Sequence, residues 1–147
     1  MRFLYYDKVI EIEKGKSITG VKSFSLSEEF LRGHFSKMAL VPGVIFIEAM
    51  AQLLGWLIIY SHDFTLSAIM SLVEDVSLSP KLRPGFIARI DGEIIATSRN
   101  DSLGKAQVYA DGELIASMNR IIYSHFHDVN QKELRSLFSY YSGMKIE

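Results

Sequence analysis

The sequence predicts an α+β fold in which one antiparallel sheet is wrapped around a single long, buried helix. Three observations carry this. Residues Val44–Tyr60 are apolar or small throughout, except for Glu48, Gln52 and the tip of Tyr60. The segments after it read as strands in close succession, two of them joined by Asp111–Gly112, a pair suited to a turn in which both central residues take positive φ. A helix that is apolar on nearly every side must be covered on nearly every side, and a large curved sheet does this with little chain.

The elements follow in order. Ser17–Leu26 alternates loosely between polar and apolar residues and reads as a strand. Pro42 suits the first turn of the helix, where a missing N–H costs nothing, and the helix over 44–60 would be about 26 Å long. Leu66–Val73 is the next strand, and "SLSPKLRPG" punctuates with two prolines. Phe86–Ser98, Leu103–Ala110 and Glu113–Tyr123 form a meander broken by the turn cluster "SRNDS" and by Asp111–Gly112. The character then changes. Asp128 with Gln131 reads as a capping box opening a C-terminal helix to about Ser142, whose Leu134, Leu137, Phe138 and Tyr141 form one apolar stripe. The expected organisation is a core domain over 1–123 and a helical extension of the same domain over 124–147.

The bulk numbers narrow the function. The chain has 147 residues with 48% hydrophobic and 22% charged content, ordinary globular usage that argues against disorder. Its formal net charge of −1 gives no basic field for nucleic acid. Cysteine is absent, which excludes disulfides, thiolate metal sites and a cysteine nucleophile. The opening "MRFLYYDKVIEIEKG" lacks the apolar run of a secretory signal, and the apolar helix carries an internal acid that a membrane span tolerates poorly. A cytoplasmic protein with no membrane association is expected.

Two polar residues in the greasy stretch ask for a reason. Glu48 and Gln52 stand at i and i+4 and share a helix face. An exposed strip would explain them blandly; a strip facing a pocket would make Glu48 a general acid. His34 precedes the loop that leads into this helix, so a histidine base and a carboxylic acid would meet at one site. Gly43 and Val44 open the helix, where backbone N–H groups lack intrahelical partners and could hold a developing oxyanion.

"GHF", the eight-residue step from His34 to Pro42, "PGV", "EAMAQ" and the 14-residue interval from His34 to Glu48 together resemble the signature of the 3-hydroxyacyl-acyl-carrier-protein dehydratases of bacterial fatty acid synthesis. The resemblance runs from about Phe3 to Tyr123, including the opening "FLYYDKVIEIEKGK". It implies a hotdog fold and conversion of a 3-hydroxyacyl thioester into the trans-2-enoyl thioester without metal or redox cofactor. It implies that His34 takes the α-proton and Glu48 protonates the leaving hydroxyl. The Gly43 N–H would polarise the thioester carbonyl, with Val44 beside it, and Gln52 would orient Glu48 or line the site. It also implies acyl carrier protein as partner, and a homodimer or trimer of dimers with the two catalytic groups drawn from different chains. The chain departs from the family where Ser36, Lys37 and Ala39 replace its usual proline-containing loop and where Phe86 replaces an acidic residue. These departures suggest a specialised acyl chain, such as a polyene. A thioesterase, a coenzyme-A-dependent hydratase or a non-catalytic acyl-binding subunit are the competing readings.

Elsewhere the signals are weaker. His125 and His127 read as a solvated tail, since no third metal ligand is evident. Lys81, Arg83 and Arg89 form a modest basic cluster that could meet an acidic carrier. Trp56 reads as core or as tunnel wall.

Overall fold

A computed structural model describes residues 4–28, 40–79 and 82–146. Six strands form one antiparallel sheet in the order β1-β2-β4-β5-β6-β3, with β1 at Lys8–Glu13, β2 at Ser17–Phe24, β3 at Ser67–Leu78, β4 at Phe86–Thr97, β5 at Asp101–Ala110 and β6 at Glu113–Phe126. Helix α1, Gly43–Ser61, lies in the curve of this sheet, and α2, Gln131–Ser142, packs at its C-terminal end. By length and composition α1 could cross a membrane, but 61% of its most apolar window is buried inside the fold, as suits a core helix.

The helix can lie close to the sheet because the strands beneath it carry small residues. The inward face of β5 is Ser102, Gly104, Ala106, Val108 and Ala110, while Lys105, Gln107 and Tyr109 alternate on the other side. A Cβ on Gly104 would stand 2.8 Å from both the Glu93 carbonyl oxygen and Leu54 Cδ2, and one on Gly20 would stand 2.6 Å from Leu53 Cδ1. Leucines 53 and 54 therefore sit in a trough that no larger residue could line. Tyr123 of β6 is buried and donates its hydroxyl to the Ala51 carbonyl at 2.6 Å, which fixes the helix to the sheet from the other side.

Several expected elements differ in extent. β1 was not among them, although its "KVIEIE" places Val9 inside and Ile10 outside; it joins β2 through Gly15 at φ +78. β3 runs on to Leu78 through Glu74 and Asp75, which a burial pattern would exclude from a strand. As an edge strand it tolerates them: Glu74 pairs with Arg120 at 3.3 Å, and Asp75 accepts from Asn119 at 2.8 Å. β6 continues past Tyr123 to Phe126 because β3 offers partners as far as Ser67. At the expected hairpin, Asp111 and Gly112 do take positive φ, 52 and 78.

The C-terminal helix starts later than its sequence suggests. Asn130, not Asp128, is the cap, its side chain accepting from the Glu133 N–H at 3.0 Å, and Gln131 instead donates to the Asp63 carbonyl at 2.8 Å. Phe138 is fully buried, and Leu134 and Tyr141 are partly so, but Leu137 is exposed. One residue of the anticipated stripe thus falls on the wrong side, because the contact with α1 is narrow and centres on Phe138. Its ring lies 5.3 Å from that of Trp56, 5.9 Å from Tyr60 and 5.8 Å from Phe64.

Gly104→Ala should lower unfolding free energy by about 1–3 kcal/mol, the usual cost of overpacking, since one of the two atoms in its way is backbone and cannot turn aside. Urea denaturation measures this; an unchanged midpoint would mean that helix and sheet are not in close contact there.

Candidate active site

Along α1 the residues at 48, 52, 56 and 60 are partly exposed, while nearly all others beyond the first turn are buried or partly covered. The 3.6-residue period brings this stripe and its neighbours at 51, 55 and 59 to one face, and that face lines a cavity of about 620 Å³. Leu4 and Tyr6 line it from the N-terminal segment, Ala68 and Met70 from β3, Tyr123 from β6, and Tyr141 from α2. The walls are mainly apolar and aromatic. Glu48 and Gln52 are the polar helix residues that face it.

Glu48 is therefore half-buried in a cavity wall and not on an open surface. Gln52 donates from Nε2 to Glu48 Oε1 at 3.1 Å and accepts from the Tyr5 N–H at 2.9 Å. One amide thus ties the carboxyl to the backbone of the N-terminal segment and sets its rotamer. Burial raises the phenol pKa of Tyr5 and Tyr123, and the Glu48 charge adds to both. Burial also pushes the pKa of Tyr6 up to about 12, the Trp56 indole acting against the shift.

Gly43 and Val44 form the first turn of α1, capped by Pro42 without a side-chain hydrogen bond. A Cβ on Gly43 would stand 2.7 Å from Leu78 Cδ1, so a side chain here would force Leu78 of β3 to move. Val44 is 63% exposed. His34, Ser36, Lys37, Ala39 and Lys81 lie outside the described residues. Of the remaining basic residues, Arg83 is exposed, and Arg89 pairs with Asp91 at 3.2 Å and stacks over Tyr109 at 4.7 Å. Arg89 is therefore engaged within its own sheet.

His125 and His127 are not a loose tail. Each meets the Arg99 carbonyl, at 2.9 and 3.0 Å. His125 Nε2 also contacts Ser102 Oγ at 2.7 Å, which meets Thr97 Oγ1 at 2.7 Å, which meets His62 Nε2 at 2.8 Å. His62 is the C-cap of α1, so the chain of contacts ties the far end of the helix to the β4–β5 turn. Sequence spacing could not reveal it, because His62 and His125 are 63 positions apart and meet only through the sheet.

Sheet, wrapped helix and carboxyl-bearing cavity together define a hotdog-fold protein. The solved structures agree on the fold. The dehydratase heterocomplex ApeI:P from Xenorhabdus doucetiae superposes with a TM-score of 0.69 at 16% identity, covering 92% of this chain and 89% of that one. The conserved protein PA5202 from Pseudomonas aeruginosa gives 0.66 at 13% identity, covering 81% and 87%. A thioesterase from Haemophilus influenzae and a hypothetical thioesterase from Streptococcus pneumoniae share the fold at 10% and 11% identity, with TM-scores of 0.64 and 0.59.

Sequence comparison narrows the class. Residues 1–119 match the FabA-like domain family, and the chain belongs to it. Its relatives include the 3-hydroxyacyl-acyl-carrier-protein dehydratases FabZ of Caldicellulosiruptor saccharolyticus, 33% identical over 77% of this chain and 81% of that protein, and of Bacillus cytotoxicus, 34% identical over 77% and 79%.

The histidine contacts give a pH dependence with a definite sign. Burial lowers the pKa of His62, the neighbouring His125 and His127 lower it further, and Asp63 opposes them. The folded state thus prefers neutral His62. Its contribution to stability is present above the unfolded value near 6.5 and is lost as pH falls below it. Thermal melts of wild type should therefore drop more steeply below that pH than melts of His62→Gln; parallel curves would remove the effect.

Proposed function

We propose that this chain is a dehydratase that removes water from a 3-hydroxyacyl thioester on acyl carrier protein, giving the trans-2-enoyl thioester, in fatty acid synthesis or a related specialised acyl pathway of polyene type. The observation that carries this is Glu48: a half-buried carboxyl, positioned by Gln52, in the wall of an apolar cavity, in a FabA-like chain with FabZ relatives. An acyl chain suits the apolar walls, and the acid stands where the chain's reactive end would lie.

In this reading His34 takes the α-proton. The electron pair left behind forms the double bond as the β-carbon–oxygen bond breaks. Glu48 gives its proton to the departing hydroxyl, which leaves as water, and transfer of the proton from His34 back to Glu48 restores the resting state. The thioester oxygen, which gains charge in the transition state, is held by the free N–H groups of Gly43 and Val44. The elimination neither oxidises nor reduces the substrate overall, so it asks for no redox cofactor, and the two side chains supply both proton transfers without a metal.

The working unit is a homodimer, or a trimer of such dimers, in the cytoplasm, with residues 1–123 and 124–147 acting as one domain. β3 supports the dimer. It is a 12-residue strand at the sheet edge, with Ile69, Met70, Leu72, Val76 and Leu78 all exposed. Such an edge invites a second copy, which would complete the sheet and cover these side chains. His34 of one chain would then face Glu48 of the other.

The test is appearance of enoyl absorbance when the purified protein meets a 3-hydroxyacyl thioester on acyl carrier protein. His34→Ala and Glu48→Gln, each checked for folding, should each lose at least ~10²-fold in turnover. Near-wild-type turnover in either variant would remove that residue's role. Co-expressing the two inactive variants with different tags and isolating the mixed dimer should restore a measurable part of the activity. A mixed dimer as inactive as its parents would mean that both groups act within one chain.

A further inference from the structure

The cavity runs along α1, and its polar and apolar ends are different places. Glu48 lies toward the start of the helix. Trp56 and Ile59 lie eight and eleven residues further on, about 12 and 16 Å along the axis. At that distal end the wall is not made by the sheet and α1 alone. Tyr141 of α2 lines the cavity, on the helix whose Phe138 packs against Trp56. α2 is held in that position by Phe138, fully buried among Trp56, Tyr60 and Phe64, and it ends at Gly143 in the left-handed conformation beside Lys8. Residues 131–142 lie beyond the 1–119 that match the FabA-like domain, so this part of the wall comes from outside the matched domain.

We infer that Tyr141, carried by α2, is the distal stop of the acyl cavity and sets the longest chain the protein accepts. This rests on the reading of the cavity as an acyl site. The physical ground is simple. An apolar tail can extend along the 48–59 face only until it meets a wall, and here the wall is a phenol ring on a helix that is anchored by Phe138. A chain longer than the cavity must displace that ring or leave methylenes in water. One misplaced methylene in a fitted pocket changes specificity by about 10-fold or more.

The experiment compares wild type, Tyr141→Ala and Leu134→Ala, all full length, on 3-hydroxyacyl pantetheine thioesters of increasing chain length. Binding of the matching saturated acyl pantetheine thioesters is measured in parallel by calorimetry. Leu134 is partly buried in the same helix but does not line the cavity, so its truncation loosens α2 without removing the stop. Wild type should show a sharp length limit in kcat/KM and in affinity. Tyr141→Ala should move that limit to longer chains, raising kcat/KM for the first excluded chain by about 10-fold or more, while Leu134→Ala keeps the wild-type limit. An unchanged limit in Tyr141→Ala, an equal shift in Leu134→Ala, or no binding of any acyl thioester would overturn the inference. Chain-length-limited binding without dehydration would refute the dehydratase reading and leave the distal stop standing, so the two failures are distinguishable.

Discussion

Everything in this fold depends on how closely α1 approaches the sheet. Leu53 and Leu54 press into positions where β2 and β5 carry glycine, and a single added methyl would collide with a leucine or with backbone. That contact makes the helix a fixed part of the core. It also determines which face is left over. With the glycine-lined strands on one side, the face that carries Glu48, Gln52 and Trp56 is left for the cavity, where Ala51 and the Tyr123 bonded to it also form part of the wall. A carboxyl on so closely packed a helix has a fixed backbone position.

The two ends of α1 are secured by different chemistry. Toward its start the Glu48–Gln52–Tyr5 hydrogen bonds connect the helix to the N-terminal segment. At the other end the contacts from His62 through Thr97 and Ser102 to His125 connect it to a strand turn, and Asp63 is shared by Lys14 and by Gln131, which binds its carbonyl. α2 joins this second group of contacts. The segment outside the matched family domain therefore builds on the end of the helix away from Glu48, and reaches the cavity from there.

The wrapped helix was legible in the sequence because its cause is local: seventeen nearly unbroken apolar residues can mean little else in a chain with strands on both sides. So was the acid, since Glu48 interrupts that run. The capping of α2 was misplaced by two residues because Asp128 and Asn130 both have the right chemistry, and it is Asn130 that accepts from the Glu133 N–H. Leu137 was taken for core because periodicity marks a face without saying how wide the contact is. The histidine contacts and the role of Tyr141 in the cavity were hidden for a different reason. Both join residues far apart in the chain, and neither leaves a spacing to read.

The central claim is that the cavity eliminates water from the β-carbon and leaves the thioester whole. The most direct measurement uses reversibility. The protein is incubated with a 3-hydroxyacyl thioester on acyl carrier protein in water labelled with heavy oxygen, and the products are examined by mass spectrometry. Elimination and re-addition predict label in the β-hydroxyl of intact thioester, with enoyl thioester present at equilibrium and exchange abolished in Glu48→Gln. Label in a released carboxylic acid, with the β-hydroxyl unlabelled, would identify thioester hydrolysis and contradict the account.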